Sequence, residues 1–228
     1  MFMTRLCSSV VLVVLSLVTI LTGGYLLAGV LLFLALTAFR ELTKACKLAK
    51  EGGEISALEV IGYLGIFAYY LLIVFAADEM ILFLCLITIL VAFMFLYVFT
   101  FPKYHAEQIM CAFFCVAYAP VMLSFIYLVR ILPYGIYSVW MIFISSWICD
   151  TCAYVFGMLF GKHKLAPVLS PKKSIEGALG GIFGSALVGA LYAYFVVEPA
   201  ISEQRVTWIF VLISAVGAVI SQVGDLAA

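Results

Sequence analysis

Long apolar runs separated by short polar breaks dominate the chain from end to end. Read from one charge or turn cluster to the next, they give eight candidate spans at 6–21, 25–39, 60–76, 80–99, 109–129, 134–160, 177–197 and 206–226. A helix needs about 20 apolar residues to cross a bilayer core, and inside hydrocarbon each backbone group must find its partner within the segment, so runs of this length predict helices. The first two runs are separated only by Thr22, Gly23 and Gly24, which predicts a tight helical hairpin. Arg5 ahead of the first apolar core also suits a signal peptide, but no small-x-small site follows and a second run begins at once, so the first run reads as a retained span. The expected fold is an all-α polytopic transmembrane bundle forming a single integral membrane domain over 1–228.

Composition sharpens the assignment. Hydrophobic residues make up 67% of the 228 positions, charged residues 11%, and mean hydropathy is +1.27. Those values exclude an ordinary water-soluble globule and a disordered chain. Twelve Lys+Arg are balanced by 12 Asp+Glu, which speaks against a nucleic-acid partner. Where the few charges fall is more informative than their sum. With the N-terminus cytoplasmic, ten cations (Arg5, Arg40, Lys44, Lys47, Lys50, Lys103, Lys162, Lys164, Lys172 and Lys173) lie inside, and only Arg130 and Arg205 lie outside. Seven cysteines are scattered and odd in number, and read as small buried thiols. The one Cys-x-x-Cys, Cys149 to Cys152, has no second pair or histidine beside it, so no structural zinc is expected there.

Polar residues concentrate in the predicted cytoplasmic loop 161–176, which contains Lys162, His163, Lys164, Ser170, Lys172, Lys173, Ser174 and Glu176. Such a cluster suits a topology anchor at anionic head groups. It also suits phosphate binding. Ser170-Pro171 predicts a helix start, a capping hydroxyl followed by proline at the first helical position, and the free N–H groups of such a start bind phosphate with Lys172 and Lys173 in the same turn. Gly177, Gly180, Gly181 and Gly184 then allow close approach, by a ligand or by a neighbouring helix. Asp150 is a carboxylate within an apolar span, where an ionisable side chain faces the bundle interior and marks a functional site. Asp225 sits at the same end of the last run. Two carboxylates and a lysine cluster at one interface are what a divalent cation and a polyphosphate require.

The stretch Asp150-Thr151-Cys152-Ala153-Tyr154, followed by Gly157, Gly161-Lys162-His163-Lys164 and Ser170-Pro171-Lys172-Lys173-Ser174-Ile175-Glu176-Gly177 with Gly180-Gly181, resembles the bacterial phosphatidate cytidylyltransferases, or CDP-diacylglycerol synthases. Ser221-Gln222-Val223-Gly224-Asp225-Leu226 is similar to that family's later Gly-Asp-Leu element, and Phe39-Arg40-Glu41-Leu42 fits weakly. In the family a basic pair, a Lys-Asp step, a Pro-Gly-His-Gly-Gly segment, a further aspartate and a last span follow. Here the chain stops at Ala228, so the resemblance implies that a second metal-binding carboxylate and a final span are missing from these residues and that their own turnover is low.

The resemblance implies an enzyme of the bacterial inner membrane that takes CTP and phosphatidic acid to CDP-diacylglycerol and pyrophosphate. It implies Mg2+ on Asp225, with a second cation left open, and phosphate contacts from Ser170, Lys172 and Lys173. Lys162 and Lys164 are implied to admit CTP or the lipid head. His163, Ser174, Glu176 and Gly177 complete the implied substrate site, and Asp150 orders it or joins in ion binding. Membrane lipid is the second solvent and homodimer formation stays open. A CTP-dependent kinase of a lipid alcohol, an anion transporter and a non-catalytic membrane protein are the competing readings. An alcohol acceptor needs a general base that a phosphate acceptor does not.

Overall fold

The computed structural model describes residues 13–48, 55–201 and 205–227. After a short apolar helix α1 (Val13–Thr22), seven helices are long and apolar enough to cross a membrane. They are α2 (Gly24–Ala45), α3 (Ala57–Phe75), α4 (Glu79–Thr100), α5 (Ala106–Ile131), α6 (Gly135–Phe160), α7 (Ile175–Ile201) and α8 (Thr207–Ala227). The protein is thus a multi-pass helical membrane protein. The first predicted span lies partly outside the described residues. Large apolar side chains on the helix surfaces, Phe99 and Trp208 at 80% exposure and Phe75 at 77%, face outward as lipid-facing residues do. The chain divides into two compact units, residues 1–133 and 134–228.

In the first unit, breaks fall where capping chemistry is available. Gly23 and Gly24 hold φ of 65° and 54°, so the turn between α1 and α2 takes a single non-helical residue. Arg130 donates from Nε to the Ile20 carbonyl (2.8 Å) and thereby covers the end of α1. Ser56 and Glu59 form a reciprocal capping box at the start of α3, and Asp78 Oδ1 accepts from the Ile81 amide at the start of α4. Pro120 does not end α5. A π-turn at Ala117–Val121 absorbs it, and the Tyr70 hydroxyl donates to the Pro120 carbonyl at 2.9 Å. Phe39 and Phe93 are fully buried. The Phe39 ring lies against Gly62, where a Cβ would collide with it.

The second unit is built around α7. Cβ atoms added at Gly180, Gly181 or Gly184 would strike Phe156, Cys149 and Cys152 of α6, and one at Gly189 would strike Ser214 of α8. Small residues here let backbones approach, the packing mode that replaces hydrophobic burial inside lipid. At these glycines the structure carries the packing reading. Gly180→Ala drives a methyl into the Phe156 ring and is expected to cost about 1–3 kcal/mol, read as a lowered thermal midpoint in detergent. A midpoint equal to wild type would contradict this packing.

Between α6 and α7 the chain forms a feature that the span pattern did not predict. Strand β1 (Lys164–Ala166) pairs antiparallel with β2 (Ser170–Ser174), Lys164 opposite Ser174 and Ala166 opposite Ser170. The expected helix start at Ser170-Pro171 is therefore incorrect. Proline lacks an amide hydrogen and holds φ near −65°, which an edge strand tolerates as readily as a helix start does. The capping hydroxyl belongs to Ser174, which accepts from the Gly177 amide at 3.1 Å and starts α7 at Ile175. Lys172 and Lys173 accordingly lie in extended chain rather than in a first helical turn.

Candidate active site

One cavity of about 380 Å³ lies within the second unit, walled by α6, the hairpin, α7 and α8. Helix α6 contributes Asp150, Ala153, Tyr154, Gly157 and Met158, whose spacing places them on one face. The hairpin contributes Leu165, Lys172, Lys173 and Ser174; the first turn of α7 contributes Gly177 and Ala178; α8 contributes Gln222 and Asp225, which lie i, i+3 on one side. The close approach of α6 and α7 at the cavity wall depends on glycines packed around Ser174. Its Oγ would lie 3.1, 2.8 and 3.0 Å from Cβ atoms added at Gly157, Gly161 and Gly177. Without side chains at those positions, one serine can both cap α7 and fill the junction.

Charge within the cavity is paired across elements. Lys173 Nζ of β2 forms an ion pair with Asp225 Oδ2 of α8, with side-chain exposures of 27% and 57%. The ammonium itself is shielded from solvent. Asp150 lies within electrostatic reach of both Asp225 and Lys173. Two carboxylates and a cation from three separate elements therefore share one cavity whose other walls are largely apolar. Gln222 donates from Nε2 to the Ala178 carbonyl (3.0 Å) and to Cys149 Sγ (3.1 Å), so it ties α8 to α7 and α6 one turn before Asp225.

Of the residues singled out from sequence, Asp150, Lys172, Lys173, Ser174, Gly177 and Asp225 line the cavity. Lys162, His163, Lys164, Ser170 and Glu176 are not in its wall. His163 and Glu176 instead pair with one another. Glu176 accepts from the Lys162 and His163 amides at 3.1 and 3.2 Å and meets His163 Nδ1 at 2.6 Å, which fastens the entry of the hairpin to the first turn of α7. The hairpin tip leaves Val168 and Leu169 at 96% and 74% exposure. Gln222 was the polar group that sequence reasoning passed over. Its signal was an amide side chain within an apolar helix, three residues before a carboxylate.

Residues 3–228 match the cytidylyltransferase family. The chain belongs to that family. It is 31% identical over 225 residues to a phosphatidate cytidylyltransferase of Staphylococcus epidermidis, an alignment covering 97% of this chain and 82% of that protein. A phosphatidate cytidylyltransferase of Staphylococcus haemolyticus is 29% identical over 227 residues, with the same two coverages. Another, from Staphylococcus aureus, is 38% identical over 120 residues, 51% of this chain and 44% of that protein. Membership in the cytidylyltransferase family agrees with the resemblance carried by the Asp150 to Gly181 and Ser221 to Leu226 stretches, and the cavity brings parts of both stretches together.

Proposed function

We propose that this cytidylyltransferase transfers a cytidylyl group from CTP to phosphatidic acid, releasing pyrophosphate and forming CDP-diacylglycerol. The convergence of Asp150, Lys173 and Asp225 on one cavity carries the proposal, together with the relatives' names. A phosphate monoester is already an oxygen nucleophile, so no general base has to be found. What the reaction needs is in-line placement of two anions and neutralisation of the leaving pyrophosphate. The lipid-alcohol kinase reading asks for a base beside the acceptor. The carboxylates here are better suited to a cation, being set beside a lysine and one another.

The donor set fits Mg2+, which is held by one or two carboxylates plus substrate phosphates. Asp225 is the principal proposed ligand, with Asp150 the second carboxylate in the same cavity. When bound, Mg2+ supplies Lewis-acid stabilisation of the triphosphate. Lys173, paired with Asp225, is set to give its charge to a phosphate oxygen of CTP. Lys172 adds a second positive charge to the cavity wall, and the exposed Lys162 and Lys164 attract anionic substrate to the hairpin. Ser174 and Gly177 keep the backbone close enough for phosphate to approach, while Ser170, His163 and Glu176 act through the hairpin's fold. The excess of Lys and Arg at this end of the bundle supports a cytoplasmic setting, where CTP is found, and with it a place in the bacterial inner membrane.

Membranes containing the protein expressed from its whole coding sequence are expected to form CDP-diacylglycerol and pyrophosphate in equal amounts from CTP and phosphatidic acid. Folded protein that yields neither would refute the proposal. Chelation with EDTA is expected to reduce the rate to background and excess Mg2+ to restore it. Full activity in EDTA would exclude the metal role given to Asp225.

A further inference from the structure

Three cysteines, far apart in sequence, meet in the first unit. Cys46 follows the last residue of α2, and Cys111 and Cys115 lie i, i+4 on one face of α5. Their Sγ atoms all lie within 4.8 Å of one another, with Cys46 and Cys115 3.8 Å apart. Among the described residues no other group of three or more His, Cys, Asp or Glu side chains converges in this way. Cys115 is fully buried and the other two are partly so.

Cys46 is also held in place before any ligand arrives. The end of α2 closes in a Schellman turn, with the Leu48 amide donating to the Thr43 carbonyl (2.8 Å), the Lys47 amide to the Lys44 carbonyl (3.0 Å), and Lys47 in the left-handed region at φ 56°. Cys46 is the residue immediately before that left-handed position, so its Cβ direction is fixed by the turn. The other two thiols are fixed by helix geometry.

We propose that Cys46, Cys111 and Cys115 form a binding site for a thiophilic divalent cation, Zn2+ by its chemistry, which joins the end of α2 to the start of α5. Zn–S bonds of about 2.3 Å in tetrahedral array put sulfurs about 3.8 Å apart, the separation of Cys46 and Cys115. The third sulfur needs to move by about an ångström at most to complete the set. Thiolates without carboxylate or water-rich oxygen donors select soft or borderline ions over Mg2+ or Ca2+. A divalent ion also leaves less uncompensated charge in a half-buried site than a monovalent one would. Binding exchanges thiol protons for metal, with each deprotonated Sγ forming one S–Zn bond and its proton passing to solvent; the fourth position is taken by water or an added ligand.

Zn2+ and Co2+ titrations of the full chain, purified in detergent under reducing, metal-free conditions, test the site. The expected result is one Zn2+ per chain, proton release on binding, a higher thermal midpoint, and a thiolate-to-cobalt charge-transfer band with Co2+. Cys46→Ser, Cys111→Ser and Cys115→Ser are each expected to weaken Zn2+ binding by about 100-fold or more, whereas Cys85→Ser leaves it unchanged. Equal Zn2+ binding by the triple serine variant, absence of the cobalt band, or formation of a Cys46–Cys115 disulfide in a wild-type protein that binds no Zn2+ would each overturn the proposal. Because metal content and spectra are the readouts, the outcome is independent of cytidylyltransferase activity.

Discussion

Asp225→Asn is expected to lower CDP-diacylglycerol formation by at least ~10³-fold while leaving the bundle folded. The substitution keeps shape and one acceptor oxygen but removes the charge that faces Lys173 and that we assign to the cation. Because the Lys173 ammonium is shielded, some stability is lost with its counter-charge. The Asp225 side chain is 57% exposed, which keeps that loss small next to the catalytic effect. Initial rates measured beside thermal midpoints separate the two. If Asp225→Asn turned over at more than a tenth of the wild-type rate, Asp225 could not be the principal metal ligand.

Lys173→Met has the second largest expected effect, a fall of about 10²- to 10³-fold in kcat/KM for CTP. Methionine keeps much of the stem's volume and removes the only cation that is ion-paired to Asp225 among the described residues. The pair has an opposite consequence for the metal. With the cation we propose on Asp225, Lys173 would compete for the same carboxylate, so its removal is expected to lower the Mg2+ concentration needed for half-maximal activity even as the maximum falls. A merely structural lysine would reduce the amount of folded protein and leave that concentration unchanged. Titration of Mg2+ against rate in wild-type and Lys173→Met membranes distinguishes these outcomes.

How much was legible in the sequence depended on range. The span pattern located α3 to α8 to within a few residues, since apolar length is a local property with strong physical limits. It stopped α2 early, at 39, because Arg40, Glu41 and Lys44 read as a loop; the helix continues to Ala45, with Glu41 and Lys44 paired along it at 2.8 Å. The hairpin was misread because Ser-Pro suits both a helix start and an edge strand, and only the pairing of Lys164 with Ser174 decides between them. Asp150, Lys173 and Asp225 were legible because charge in an apolar setting stands out. Gln222 and the cysteine trio were not, since their meaning lies in contacts 44 to 73 residues apart along the chain.

In the reaction we propose, the phosphorus attacked is the α-phosphorus of CTP and the acceptor is a lipid phosphate. Membranes containing the protein should be supplied in parallel with CTP labelled at the α- or the γ-phosphate, each with phosphatidic acid or with a polyprenol alcohol. Label is expected in the lipid fraction only from α-labelled CTP with phosphatidic acid, and the γ-label in pyrophosphate. Transfer of γ-label to the alcohol, with CDP as the second product, would contradict it.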